Sequence, residues 1–167
     1  MLYVTSGVPG TGKSTLARQL ARHLGAAYLR VDTIEAALLE HGLTATVEGY
    51  AVCYALALDN LRLGHAVVVD VVNPLAVTRE MWARAGQEAD VRLVNIEVIC
   101  SDAAQHRQRV EARRDDPANR VGEWIPPTWE AVHASAQDFE PWSTPRVVVD
   151  TAGRSEAQAF AALLKAL

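Results

Sequence analysis

Apolar residues recur along this chain in two rhythms, and the alternation between them sets out its architecture. Runs of strand length lie at residues 2–4, 26–31, 66–71, 91–99 and 146–150. The run through Val67, Val68 and Val69 is unbroken, as in a strand covered on both faces. Between the runs the apolar spacing lengthens to three and four. Leu16, Ala17, Leu20, Ala21 and Leu24 form one helical stripe, stopped by Gly25. Ala51, Tyr54, Ala55, Leu58 and Leu61 form another over about 48–63, stopped by Gly64. Further helices are expected over 34–39, from Pro74 to Arg84, from a Ser101 cap to about Arg114, over 129–136, and from a Ser155 cap to Leu167. Residues 115–127 are polar, carry prolines and lack a period, so they read as a mobile loop. Five strands alternating with helices predict a three-layer α/β fold around a parallel sheet, in one domain spanning 1–167.

Composition narrows the setting. Half of the residues are hydrophobic and 22% are charged, which excludes wholesale disorder. A formal charge of −4 offers no broad footprint for nucleic acid, so a polynucleotide partner is not expected. No apolar run approaches a membrane span, and the N-terminus reads as the first strand rather than a signal peptide. Cys53 and Cys100 lie apart on apolar segments without a C-x-x-C, which fits buried thiols in a reducing cytoplasm, as a monomer or homodimer. The five histidines show no ligand spacing, so any metal is expected to arrive with a nucleotide.

The chemistry concentrates at Gly7-Val8-Pro9-Gly10-Thr11-Gly12-Lys13-Ser14, which fits G-x-x-x-x-G-K-[ST] at every specified position. A strand precedes it and a helix follows. Glycines let backbone curl around phosphates, and successive N–H groups with the helix's positive end face the anion. Lys13 would reach the β- and γ-phosphates and Ser14 would ligate Mg²⁺. The loop therefore reads as a nucleoside triphosphate cradle. Gly7, Asp32, Asp70 and Thr151 each fall at or just past a strand end, where parallel sheets place their sites. Asp70 closes an apolar strand and suits Mg²⁺ beside Ser14. Asp32 has two readings: a helix cap paired with Glu35 in a capping box, or a general base toward an acceptor hydroxyl. Arg107, Arg109, Arg113 and Arg114 crowd one helix, with Arg109 and Arg113 sharing a face next to the loop. Trp124, Trp129 and Trp142 would either wall an acceptor pocket or, as we favour, pack the loop down.

These residues resemble the small P-loop kinases of the predicted-kinase group, relatives of polynucleotide 5′-hydroxyl kinase, chloramphenicol phosphotransferase and zeta toxin. The resemblance covers nearly the whole chain in element order. It implies a P-loop NTPase fold with sheet order 2-3-1-4-5, adenylate-kinase-like, with a lid at about 115–127 that excludes water on closing. Asp32 occupies the place of the family's hydroxyl-activating base, and Asp70 with Asn73 resembles its D-x-T-N, with Val72 in place of threonine. Arg109 through Arg114 resembles the lid's R-x-x-x-R, which would set Arg109 against adenine and Arg113 on the moving phosphate. Asp150-Thr151-Ala152-Gly153 resembles the loop flanking adenine. The implied nucleotide site is thus Gly7, Val8, Pro9, Gly10, Thr11, Gly12, Lys13, Ser14, Thr15, Arg109, Thr151 and Gly153. Lys13, Asp32 and Arg113 would be catalytic, with Ser14 and Asp70 on Mg²⁺ and ATP as phosphoryl donor. Several relatives carry arginine three residues after the base; here that residue is Glu35, which disfavours a phosphate-bearing acceptor and points to a neutral or cationic hydroxyl compound. A nucleoside monophosphate kinase and a nucleotide-dependent switch are the rival readings.

Overall fold

Side-chain alternation decides how this sheet is covered. In the computed structural model, which describes residues 1–43, 45, 47–116 and 125–167, Leu2, Val4, Val67 and Val69 enter one core while Tyr3, Val68, Ile96 and Val98 enter the other. The strands are β1 (Leu2–Ser6), β2 (Ala27–Arg30), β3 (Val67–Asp70), β4 (Leu93–Ile99) and β5 (Val147–Asp150). They form one sheet in the order β2-β3-β1-β4-β5, and every neighbouring pair is parallel. Both the three-layer α/β class expected from the apolar pattern and the 2-3-1-4-5 order implied by the resemblance are present.

Helices cover the two faces. On one, Cys53, Ala57, Leu58 and Leu61 of α3 (Glu48–Arg62) and Trp82 and Ala85 of α4 (Ala76–Glu88) close over Leu2, Val4, Val67 and Val69. On the other, Leu16, Ala17, Leu20 and Ala21 of α1 (Lys13–Leu24) and Ala159 and Leu163 of α7 (Glu156–Ala166) cover Val68, Ile96, Val98 and Val149. Three further helices complete the chain: α2 (Val31–Glu40), α5 (Ala103–Asp115) and α6 (Trp129–Gln137). β3 is buried along its whole length, as its unbroken apolar run requires.

Several local expectations are corrected. The second strand stops at Arg30, whose ladder partner Asp70 is the last residue of β3, instead of running on to Val31, so Asp32 falls just past the strand, in the first turn of α2. The Asp32–Glu35 capping box does not form: Arg30 stands at the cap position and no side chain caps α2. Asp102, not Ser101, caps α5, because Ser101 is engaged with Asp150. Helix α4 begins at Ala76 rather than Pro74; Asn73, at φ 57, turns the chain ahead of it and the Pro74 carbonyl is held by Arg79. Ser155 caps α7 in a full capping box with Gln158. Of the lid expected at about 115–127, residues 117–124, with Trp124, lie outside the described residues.

Candidate active site

The loop joining β1 to α1 has a shape that only glycine allows. Gly7 sits at φ 146, and a Cβ there would run into the Val98 carbonyl oxygen. Gly10, at φ 87, lies so close to α5 that a Cβ would fall 2.5 Å from Val110 Cγ2. The loop is also held from beneath. His106 Nε2 lies 2.8 Å from the Pro9 carbonyl oxygen, donating to it, and the indole of Trp129 meets the His106 ring edge-on at 5.1 Å. The Thr11 hydroxyl donates to Val8 O at 3.0 Å, and the Thr151 hydroxyl donates to Thr11 O at 2.8 Å. No side chain caps α1, so its positive end is left to the loop.

Above the loop opens a cavity of about 420 Å³. Val8, Pro9, Gly10, Gly12, Lys13, Ser14, Thr15, Arg109, Arg113 and Thr151 line it, as expected, and so do Arg18, Arg30 and Arg154. Gly7 and Thr11 lie outside that lining and shape the loop. Gly153 does not line the cavity either; its N–H donates to Gln105 Oε1 at 3.0 Å. Arg109 is fixed by Thr151, donating to its hydroxyl at 2.8 Å and to its carbonyl at 3.2 Å.

Asp70 is fully buried behind Lys13 and does not itself line the cavity. Lys13 Nζ lies 2.8 Å from Oδ1 and the Tyr28 hydroxyl donates to Oδ2 at 2.7 Å. Burial pushes the Asp70 carboxyl up, but Lys13, with hydrogen bonds from Lys13, Ser14 and Tyr28, outweighs it and holds the group below the ordinary carboxylate range. An ionised carboxylate with the Ser14 hydroxyl against it is an oxygen donor pair suited to a hard divalent cation. The same burial, with the Asp70 charge added, raises Tyr28 far above its ordinary value and keeps it neutral.

Asp32 is outside the cavity lining, between two cations that belong to it. Arg30 Nη2 is 2.7 Å from Oδ2, and Arg113 Nη2 is 4.0 Å from that same oxygen. Burial, then the nearness of Arg30, lowers Arg113 from its ordinary value. Three residues along α2, Glu35 has no such company: burial and then the Asp32 charge push its carboxyl up to about 7. Glu35 fits there because Gly49 of α3 leaves room, a Cβ at Gly49 falling 2.5 Å from Glu35 Cγ. Tyr50, beside it, is raised to about 12 by burial, against a hydrogen bond from the Asn73 backbone. Asn73 is itself buried, its amide donating to Ser6 Oγ at 3.0 Å. The remaining tryptophans pack: Trp129 on His106, and Trp142 under Arg79 at 4.1 Å with its indole N–H on Glu97.

Sequence reasoning brought Asp32, Asp70, Lys13, Ser14 and Arg113 to one cleft; Lys13, Ser14 and Arg113 line the cavity, whereas Asp70 and Asp32 stand behind it, on Lys13 and on Arg30 and Arg113. It missed Arg30, Tyr28, Tyr50 and His106. Period-two spacing could have found Tyr28 and Arg30, since residues two apart on β2 share the face that holds Asp70 across the ladder. Nothing local marks His106 or Tyr50.

Residues 2–124 match the family described as AAA domain. A Frankia casuarinae protein named shikimate kinase is 34% identical over 99% of this chain and 72% of its own length. Mycobacterial relatives, among them an uncharacterized protein of Mycobacterium tuberculosis, are 32% identical over 95% of the chain, which spans only 34% of their length. Among solved structures, a Chloroflexus aurantiacus protein superposes with a TM-score of 0.76 at 21% identity, covering 99% of this chain and 97% of the other. The M. tuberculosis APS kinase CysC, solved with AMPPNP and APS, superposes with a TM-score of 0.65 at 16% identity, covering 98% and 95%. At those identities the structures speak to the shared fold.

Proposed function

The chain belongs to the AAA-domain family, and from that premise we propose that it is an ATP-dependent phosphotransferase moving the γ-phosphate to a hydroxyl of a small molecule. One observation carries the reading: Arg30 and Arg113, which line the phosphate cavity, are the two side chains that converge on Asp32. A hydroxyl held at Asp32 would face the end of a triphosphate lying in that cavity. Asp32 would take the hydroxyl proton as the oxygen forms its new bond to phosphorus and the bond to the β–γ bridging oxygen breaks. Lys13 would exchange Asp70 for the β- and γ-phosphates, and Arg113 would counter charge on the moving group. Ser14 and Asp70 would hold Mg²⁺, which when bound supplies divalent charge beside the phosphate oxygens. Residues 7–15, Arg109 and Thr151 would seat the nucleotide, with Gly153 in the flanking turn. The nucleotide in CysC and the name of the Frankia relative support a triphosphate donor and a small acceptor. Glu35 supports a neutral or cationic one. Residues 1–167 would act as one unit, and the free thiols Cys53 and Cys100 suit a reducing cytoplasm. Among the described residues no helix is long and apolar enough to cross a membrane.

The test is a panel of hydroxyl compounds (shikimate, sugars, amino sugars, nucleosides and nucleoside monophosphates) incubated with Mg²⁺ and ATP and read for a mass gain of one phosphate. Asp32→Asn should abolish transfer while leaving ATP affinity within about twofold, since a general base contributes roughly 10²- to 10⁴-fold. Full transfer by Asp32→Asn would refute the assignment. If a nucleoside monophosphate were the acceptor in that case, the reaction would be of the kind that needs no hydroxyl base.

A further inference from the structure

Resting on the phosphotransferase reading, we propose that Arg30 is a positioning residue for Asp32: it anchors one carboxylate oxygen beside the phosphate cavity and leaves the other for the acceptor hydroxyl.

The anchor is rigid because of where Arg30 stands. It is the last residue of β2 and pairs in register with Asp70 of β3. Its Nε lies 3.6 Å from Asp70 Oδ2, the oxygen that accepts from Tyr28, and its Nη2 lies 2.7 Å from Asp32 Oδ2. One guanidinium thus spans the two carboxylates, with its side chain 21% exposed. Burial works against the Arg30 charge, but Asp32 and Asp70 more than offset it and strengthen the cation.

The geometry is one-sided. Arg30 and Arg113 both approach Oδ2 of Asp32, whereas Oδ1 has no hydrogen-bond partner among the described residues. A carboxylate has two oxygens, and a base that must both stay in place and receive a proton needs one for each task. Arg113 cannot supply the anchor at 4.0 Å, beyond hydrogen-bond reach. Without Arg30, Asp32 would be free to change rotamer on the first turn of α2, where no cap holds it. The charged and titratable groups around Asp32 are Arg30 from β2, Arg113 from α5, Tyr50 from α3 and Glu35 from its own helix.

The experiment uses the full chain as wild type, Arg30→Gln, Arg30→Lys and Asp32→Asn, with Mg²⁺·ATP turnover to ADP measured with water as acceptor between pH 5 and 9. Arg30→Gln should lower kcat roughly 10- to 100-fold, the scale of a misplaced catalytic group, with KM for ATP within about threefold. Arg30→Lys, which keeps the charge but not the fork, should recover part of kcat. An unchanged kcat in Arg30→Gln, or a loss carried wholly by KM for ATP, would overturn the proposal. The two readings fail differently: an Asp32→Asn enzyme as fast as wild type removes the base itself, whereas a slow one beside an unaltered Arg30→Gln removes only the anchor.

Discussion

Glu35 should make this protein less stable as pH rises through the slightly acidic range. Its carboxyl is raised from an ordinary 4.5 to about 7 by burial and by the neighbouring charge of Asp32. A raised carboxyl favours the folded state while protonated. The contribution is therefore fully present below about 4.5, lost progressively between 4.5 and 7, and absent above. At roughly 1.4 kcal/mol per pH unit the full difference is about 3 kcal/mol. The side chain is only half-buried, so solvent screening reduces it to about 1–2 kcal/mol. For a chain of this size that corresponds to a melting temperature lower by roughly 2–8 °C. Glu35→Gln keeps the shape and removes the charge, so it should match wild type at pH 4.5 and exceed it by that amount at pH 8. Urea denaturation of both proteins at half-unit pH intervals isolates the effect, because every other titrating group cancels in the difference. Parallel stability curves across pH 4.5–8 would refute the reasoning and place Glu35 in solvent. If the acceptor carries an ammonium, its binding to wild type should strengthen from pH 5 to 7 as Glu35 ionises, and the strengthening should vanish in Glu35→Gln.

Other consequences follow from single contacts. Lys13→Met leaves the buried Asp70 carboxylate without its main counter-charge and should cost about 3–5 kcal/mol in urea denaturation; adding Asp70→Asn should return much of it, and a strictly additive double variant would contradict the pairing. Gly10→Ala places a Cβ 2.5 Å from Val110 Cγ2 at φ 87, so ATP affinity by calorimetry should fall at least about tenfold, and an unchanged affinity would show that the loop is not held against α5. Arg79 donates to the carbonyls of Asn73, Pro74, Glu140 and Pro141 and stacks on Trp142, so Arg79→Ala should destabilise by roughly 3 kcal/mol and speed hydrogen exchange at 138–142. Arg79→Lys should recover less than half of that loss, for want of the planar fork.

What the sequence made legible, and what it hid, divides by the range of the interaction. The phosphate loop could be read because its chemistry is local: glycines at fixed offsets, one lysine, one hydroxyl, all within eight residues. Asp70 could be read because an apolar strand ending in a carboxylate leaves that carboxylate at the carboxyl edge of a parallel sheet. Asp32 was read just past its strand, but not as part of the helix that starts there. Its strand ended earlier because β3 offers no partner beyond Asp70, and that limit is set by a strand nearly forty residues away. Ser101 lost its capping role to Asp102 for a similar reason, since Asp150 claims it from across β5. His106 was unreadable altogether: its meaning depends on Pro9, nearly a hundred residues earlier, and on Trp129 from the next helix.

Asp32 and Glu35, on the first turns of α2, show how the cleft is divided. Lys13, Arg18, Arg30, Arg109, Arg113 and Arg154 all line the phosphate cavity, and Glu156 in the same lining, with Asp70 and Asp32 behind it, counters only part of that charge. A polyanion is what such a wall lacks, although the chain as a whole is negative. One helical turn away the balance reverses. Asp32 has guanidinium groups at 2.7 and 4.0 Å, whereas Glu35 has no cation within ion-pair distance among the described residues and a second carboxylate beside it. A triphosphate would be drawn to one side of Asp32 and repelled from the other, so one charge pattern would both bind the donor and tell it from the acceptor. Glu35→Arg would extend the cationic wall past Asp32 and erase that distinction. The variant should bind ATP within about twofold of wild type yet gain measurable inhibition by inorganic phosphate or a nucleoside monophosphate at the acceptor side. Steady-state inhibition competitive with acceptor rather than with ATP is the expected pattern, and inhibition competitive with ATP alone would show that the acceptor does not approach along α2.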